Sequence, residues 1–377
     1  MSVSELSAAQ RSSGLLLCVA LLLCIGLVMV ASASMDVTEA QFGHPFYFLL
    51  RHLLYVGAGA VAALFVYQIP IAFWQQHSRV LLIASGLLLT LVLIPHIGRR
   101  VNGSLRWIGV GPLTVQPSEL FKICMIVYMA AFLERHEFVV RHRWGIFKAG
   151  AAFFAAALLL LLEPDFGTVM VLILTLAGLF WLSGTNVMSY AVLALAGMSA
   201  AGLGVTLATY RWHRMIAYTN PWAHPYDSGY QLIQSEIAYG RGGLFGVGLG
   251  HSVQKLFYLP EAHTDFVFAV LAEEFGLFGL TLVLALFVAV VLIGLRIGRV
   301  AELQGRLFAA YTAYGLALII GIQALINMAV TAGALPTKGL TLPLVSYGGS
   351  SLVVELIMIA LLLRVERESL QTVAVRP

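Results

Sequence analysis

The chain has 377 residues, 60% of them hydrophobic and only 11% charged, with a formal net charge of +4. With a mean hydropathy of +0.91, it has too little charged surface for a soluble protein of this length, and the composition marks a polytopic membrane protein. The basic residues lie mostly in short segments between apolar runs, where they act as topology signals and leave no nucleic-acid footprint.

The first apolar run, Leu15 to Val30, follows Arg11 and precedes "ASAS". That order suits a secretory leader. The run is long for one and more runs follow it, so an uncleaved first span is expected. Apolar runs place spans at about 14–34, 50–69, 78–95, 117–134, 146–163, 166–183, 187–209, 265–295, 307–330 and 349–364. This predicts an all-α polytopic membrane protein of about ten transmembrane helices, with one long loop, 210–264, between helices 7 and 8. Residues 1–13 and 365–377 are expected as cytoplasmic tails on a transmembrane domain covering 14–364. Cys18, Cys24 and Cys124 fall inside apolar runs, without disulfide or metal spacing. There is no Gly-rich phosphate loop, HExxH or GxSxG.

With the N-terminus in the cytoplasm, most basic residues fall on the cytoplasmic side. The exceptions concentrate in two outer segments: Arg99, Arg100 and Arg106 within 96–116, and Arg211, Arg214, Arg241 and Lys255 within 210–264. They oppose the insertion bias, so something on the outer side is expected to need them.

Several polar constellations gather on that same side. Asp265 sits at the lip of the eighth span, where it can be a helix cap or a general base in a partly dry cavity. His263 can tune it, contact an anion or be structural. Glu273 and Glu274 lie about two turns further in, on different faces, and each is expected to make a structural contact inside the bundle. The helix to Leu295, about 45 Å long, exceeds the hydrocarbon core, so tilt, a kink near Gly276 and Gly279, or projection from the membrane is expected. In "QPSELFK", Pro117 suits a first helical position, and Glu119 and Lys122, three apart, can pair. Alternatively, Lys122 presents its charge to an anionic substrate. "RRVNGSLRWIGV" supplies guanidiniums, Asn102 and Trp107, either as an interfacial anchor or for phosphate and sugar. "EPDFG" reads as a tight turn with a cap, or as an interruption in one kinked path. "LPTKGLTLPLVSYGGSS", with two prolines and paired glycines, is a non-regular re-entrant segment, tolerated at membrane depth only where protein covers it or it lines a wet cavity. Together these features describe an outward-facing polar cavity for an anionic amphiphile.

At this point "QPSELFK", "EPDFGT", "GYQLIQS…GRGG", "LPEAHTDFVFA" and "KGLTLPLVSYGGSS" resemble the SEDS family of bacterial peptidoglycan glycosyltransferases, over about residues 14–364. "LPEAHTDF" and "GALPTKGLTLPLVSYGG" look more like its division branch than its elongation branch. Glu236 and His251 depart from the family pattern. The resemblance implies polymerisation of lipid II into β-1,4 glycan at the outer face of the inner membrane, at the division septum. The partners it implies are a class B penicillin-binding protein (FtsI-like), other divisome proteins and the bilayer, with no nucleic acid. It implies Asp265 as catalytic residue. The expected substrate-binding residues are Arg100, Asn102, Arg106, Trp107, Gln116, Ser118, Glu119, Lys122, Glu163, Asp165, Gln231, His263, Thr264, Lys338, Ser346, Tyr347 and Gly348.

An α-linked pyrophosphate donor giving a β link requires inversion, so one base suffices. Arg99, Arg100, Arg106, Lys122 and Lys338 are the cations available to the pyrophosphate, directly or through a divalent cation such as Mg2+. Two other classes remain open on the sequence alone: a lipid II flippase, and a non-catalytic scaffold that recruits the penicillin-binding protein.

Overall fold

A computed structural model describes residues 3–101, 104–110, 113–136, 146–206, 215, 218–227 and 229–374. Its helices are α1 (Val3–Phe42), α2 (Tyr47–Gln68), α3 (Ile71–Val92), α4 (Pro117–Arg135), α5 (Ile146–Leu162), α6 (Phe166–Leu182), α7 (Val187–Thr206), α8 (Tyr230–Gly242), α9 (Val267–Leu303), α10 (Leu307–Thr331) and α11 (Gly349–Ala374). Each of the predicted spans coincides with one of these helices, and α8 falls in the long segment before α9. Among the described residues, four stretches are long and apolar enough to cross a membrane by length and composition: Arg11–Phe42, Tyr47–Gln68, Val267–Leu303 and Leu307–Thr331.

Three features differ from the sequence expectation. First, α1 starts at Val3, inside the expected tail, and runs to Phe42. Hydropathy marks only the apolar part of a helix, and no strong breaker precedes Gly43, whose φ of 66° ends it. Second, α11 continues to Ala374, because no glycine or proline follows Gly349 within it. Its far end is tied down by Arg364 and Arg306 to Glu368, and by Arg11 to Glu366 at 3.0 Å. Third, a small antiparallel sheet, β1 (Gly98–Val101), β2 (Ser104–Val110) and β3 (Leu113–Val115), stands where no strand was expected. Its register pairs Arg99 with Trp107 and Ile108 with Val115. Such a short hairpin carries little periodic signal.

α10 is the axis of the bundle: 72% of its apolar window is buried, against 22% in α2. It packs against α9, α6 and α4, while α11 packs against α2.

Two stretches of broken backbone shape the molecule. Residues 332–348 are non-helical between α10 and α11. Their polar backbone groups are met by side chains buried in the bundle. Asn327 donates to Leu340 O at 2.6 Å, Gln323 donates to Thr341 O at 3.2 Å, and Glu355 accepts from Leu344 N at 2.7 Å. This is the protein cover that irregular backbone in an apolar bundle demands. The second break lies inside α9 at Gly276, with φ 61° and ψ −158°. Only glycine adopts that conformation at low cost. A Cβ there would also come within 2.5 Å of Gly246 N.

Candidate functional site

Asp265 lies just before α9. The helix N-cap is Phe266, without a side-chain cap bond, so the carboxylate is not the cap that its position allowed. It is half-buried. Its backbone carbonyl accepts from Asn327 Nδ2 at 2.8 Å, the same amide that holds Leu340 O. One α10 side chain therefore ties the Asp265 turn to the re-entrant segment. The Gly339 backbone passes directly against the carboxylate, since a Cβ on Gly339 would stand 3.2 Å from Asp265 Oδ2.

Lys338 and Leu340 connect this segment to the "EPDFG" turn. The Lys338 ammonium lies 4.1 Å from the centre of the Phe166 ring, and a Cβ on Gly167 would meet Leu340 at 3.0 Å. The turn itself is a capping device. Asp165 is the N-cap of α6, accepting from Thr168 Oγ1 at 2.8 Å and from Ser118 Oγ at 3.0 Å. Arg106 reaches from β2 to the carbonyls of Glu163 and Pro164, and lies 3.9 Å from Asp165 Oδ1. Gln116 Nε2 donates to Ser118 Oγ, and the Gln116 backbone N–H donates to Ser350 Oγ.

On the other flank, His263 stacks on Phe48 at 4.4 Å and packs against Tyr347 at 5.8 Å. Tyr347 N donates to His263 O at 3.0 Å. Burial lowers the His263 pKa against the opposing pull of Glu261. The ring is thus an apolar wall at neutral pH and not a cation. Burial pushes the Tyr347 hydroxyl up to about 12, with Arg51 working the other way. Thr264 Oγ1 donates to Glu261 Oε2 at 2.7 Å.

Glu119 and Lys122 form the internal ion pair, 2.8 Å apart and 5% and 1% exposed. Lys122 also donates to Gln323 Oε1 at 2.7 Å. Of the two alternatives open for Lys122, the structure places it inside the bundle, where it orients the amide that holds Thr341. Ser346 is similarly turned inward, its Oγ accepting from Leu342 N. Gly348 sits against Thr341, and Gln231 is half-buried on α8. Trp107 is half-buried in β2, and the Arg99 guanidinium lies over Gly109. The Arg100 side chain, Asn102, Arg211 and Arg214 lie outside the described residues.

Arg241 and Lys255, two of the cations expected to serve something outside, pair instead with Glu273 at 3.5 Å and Glu274 at 2.9 Å. The interior contacts expected of those two glutamates are thereby met. Sequence reasoning missed Asn327, Gln323 and Phe48. The two amides carried a readable signal, being polar groups inside a strongly apolar span. Phe48 carried none.

Glu163 is fully buried, and among the described residues neither of its carboxylate oxygens has a hydrogen-bond partner. In the turn between α5 and α6, burial raises its pKa from 4.5 to about 8, with Asp165 adding to the rise and Arg106 opposing it. A carboxyl whose folded pKa is raised destabilises the fold as it ionises. The stability it allows is complete below about 4.5 and is lost as pH climbs through about 8. Glu163→Gln should therefore melt with wild type at pH 5 and above it at pH 9, by several degrees. Thermal unfolding in detergent at the two pH values reads this out.

Among the described residues, no three His, Cys, Asp or Glu side chains converge as a metal-binding group.

The model of the FtsW/RodA/SpoVE cell cycle proteins matches residues 13–371. The chain belongs to this family. Within the FtsW/RodA/SpoVE proteins it is 49% identical to the probable peptidoglycan glycosyltransferase FtsW of Coxiella burnetii, over 94% of this chain and 96% of that one. It is 50% identical to the protein of the same name from Nitrosococcus halophilus, covering 92% and 89%. Its fold matches a chain solved in a study of the structural coordination of polymerization and crosslinking by a peptidoglycan synthase complex, with a TM-score of 0.77, 27% identity, and 95% and 98% coverage. The crystal structure of the rod shape determining protein RodA from Thermus thermophilus matches with a TM-score of 0.70, 30% identity, and 94% and 96% coverage.

Proposed function

We propose that this chain is a multi-pass inner-membrane peptidoglycan glycosyltransferase that polymerises lipid II, and that Asp265 is its general base. One observation carries the reading. In a family whose members similar to this chain are named for that activity, a half-buried carboxylate stands against the Gly339 backbone beside Lys338, on a segment held by Asn327. A fixed carboxylate at the edge of an apolar bundle suits proton abstraction from a sugar hydroxyl.

In this mechanism the Asp265 carboxylate takes the proton of the attacking 4-hydroxyl as that oxygen bonds to the anomeric carbon of the donor. The bond from that carbon to pyrophosphate breaks on the opposite face, and the centre inverts. Lys338, whose ammonium lies over the Phe166 ring, offers charge to the departing pyrophosphate. The neutral His263, Phe48 and Tyr347 form an apolar wall that limits water around the base. No step is routed through a divalent ion, because the described side chains do not form a ligand set for one.

The activity belongs at the outer face of the membrane during septal synthesis, with both termini cytoplasmic. The cross-linking partner is a class B penicillin-binding protein of the FtsI type, within the divisome. The synthase complex among the structural relatives supports a partner of this class. Interior carboxylates such as Glu273 and Glu274 would favour a lipid II flippase, but here they are tied to Arg241 and Lys255.

The test is polymerisation of labelled lipid II by purified protein, with and without the FtsI-like partner and with transpeptidation blocked. Glycan ladders are expected. Their absence under both conditions, with lipid II translocation in vesicles, would replace the reading with transport.

A further inference from the structure

We propose that Lys255 and Glu274 are positioning residues for glycan polymerisation. Their buried ion pair in the break of α9 holds the half-helix that carries Asp265. The inference rests on the glycosyltransferase reading and adds to it a device distant from the reacting atoms.

α9 is two helices joined at Gly276. In a continuous helix the amides of Leu277 and Phe278 would donate to the carbonyls of Glu273 and Glu274. Here they donate to Gly243 O and Leu244 O at 3.0 and 3.1 Å. The released carbonyls of Glu273 and Glu274 accept from Val247 N and Gly248 N at 2.9 and 3.0 Å. The segment 243–248 has taken over the hydrogen bonds that would otherwise make α9 one rod. The short piece from Val267 to Phe275, with Asp265 just ahead of it, is therefore aligned by the loop as much as by the rest of α9.

The side chains of the same two residues complete the joint and divide the task. Glu273 staples the loop to itself, accepting from Ser252 Oγ, Val253 N and Gln254 N at 2.5, 3.0 and 3.2 Å. Glu274 reaches beyond the loop. It accepts from Lys255 Nζ at 2.9 Å and from Ser32 Oγ of α1 at 2.7 Å, and Lys255 donates to that same Ser32 hydroxyl. This three-way contact ties half-helix, loop and α1 together. Both glutamates are 0% exposed and Lys255 is 5% exposed. The contact is thus shielded from competing water, and loss of one partner leaves a buried charge that must move to find another.

The lever arm makes the joint matter for chemistry. Asp265 lies about 15 Å along the axis from Gly276, so a swing of roughly 4° moves its carboxylate by about 1 Å, a displacement able to cost about a hundredfold in rate. A swing at the joint changes the aim of the base more than the shape of the walls that bind lipid II.

The experiment uses the purified complex with the FtsI-like partner, transpeptidation blocked, and labelled lipid II titrated. Rates are normalised to the folded fraction from thermal unfolding. Lys255→Met and Glu274→Gln are expected to lower kcat about tenfold or more with KM within about twofold, and Lys255→Arg to restore most of the loss. Ser32→Ala, which keeps both charges, is expected to lower kcat about threefold. Wild-type kcat per folded molecule in the folded variants would overturn the proposal and leave the pair a purely structural contact. If Lys255→Met and Glu274→Gln do not fold, Ser32→Ala decides, and an unchanged kcat there overturns it. A wild-type complex that makes no polymer would instead strike the glycosyltransferase reading itself.

Discussion

Asp265→Asn removes glycan polymerisation, by roughly a hundredfold or more, while the folded protein persists. Asparagine keeps the shape of the side chain and loses its ability to take a proton. Two supports of the local backbone do not depend on the charge. The N-cap of α9 is Phe266, which has no side-chain cap bond, and the bond from Asn327 goes to the Asp265 backbone carbonyl, which the substitution leaves in place. Lipid II ladders on gels, run beside thermal unfolding of the same sample, separate the two effects. Equal ladders from wild type and variant would show that the base lies elsewhere.

Lys122→Met lowers stability by about 3–5 kcal/mol, the cost of leaving a buried carboxylate without its cation. Among the described residues Glu119 would keep only the Ser351 hydroxyl, at 3.1 Å, and that hydroxyl is shared with Glu355 at 2.8 Å. Two buried carboxylates would then face each other across one serine. Gln323 would lose the partner that orients it toward Thr341 O, so the segment beside Asp265 loosens as well. Thermal unfolding in detergent measures the loss. Adding Glu119→Gln to Lys122→Met should recover a good part of it, because the uncompensated charge is then gone. No recovery would mean that the lysine acts through packing and not through its charge.

Much of the site was legible before any fold was known. Asp265 stood out as a carboxylate at the lip of an apolar run, and 335–351 as a non-regular segment, which the structure bears out for 335–348 while 349–351 open α11. The Glu119–Lys122 spacing allowed a pair, and Gly276 with Gly279 allowed a kink. Each is a local rule: hydropathy, helix spacing, and the backbone preferences of glycine and proline. The family motifs added which of the carboxylates to watch.

Other features were not legible, because they depend on contacts far apart in the chain. Arg241 and Lys255 read as charges waiting for an outside ligand, and the fold places them against Glu273 and Glu274. Lys122 read equally well as a substrate contact, and the fold encloses it. Asn327 is one polar residue in an apolar helix until two carbonyls, from Asp265 and Leu340, arrive at its amide. The sequence by itself determined the spans, the breaks between them and the polar groups needing company, since apolar length and backbone stiffness are properties of neighbouring residues. Only the tertiary structure decided which cation meets which carboxylate and which backbone fills the gap in α9. In a medium without water every buried charge and open carbonyl must find a partner, and that partner is chosen by how the helices pack.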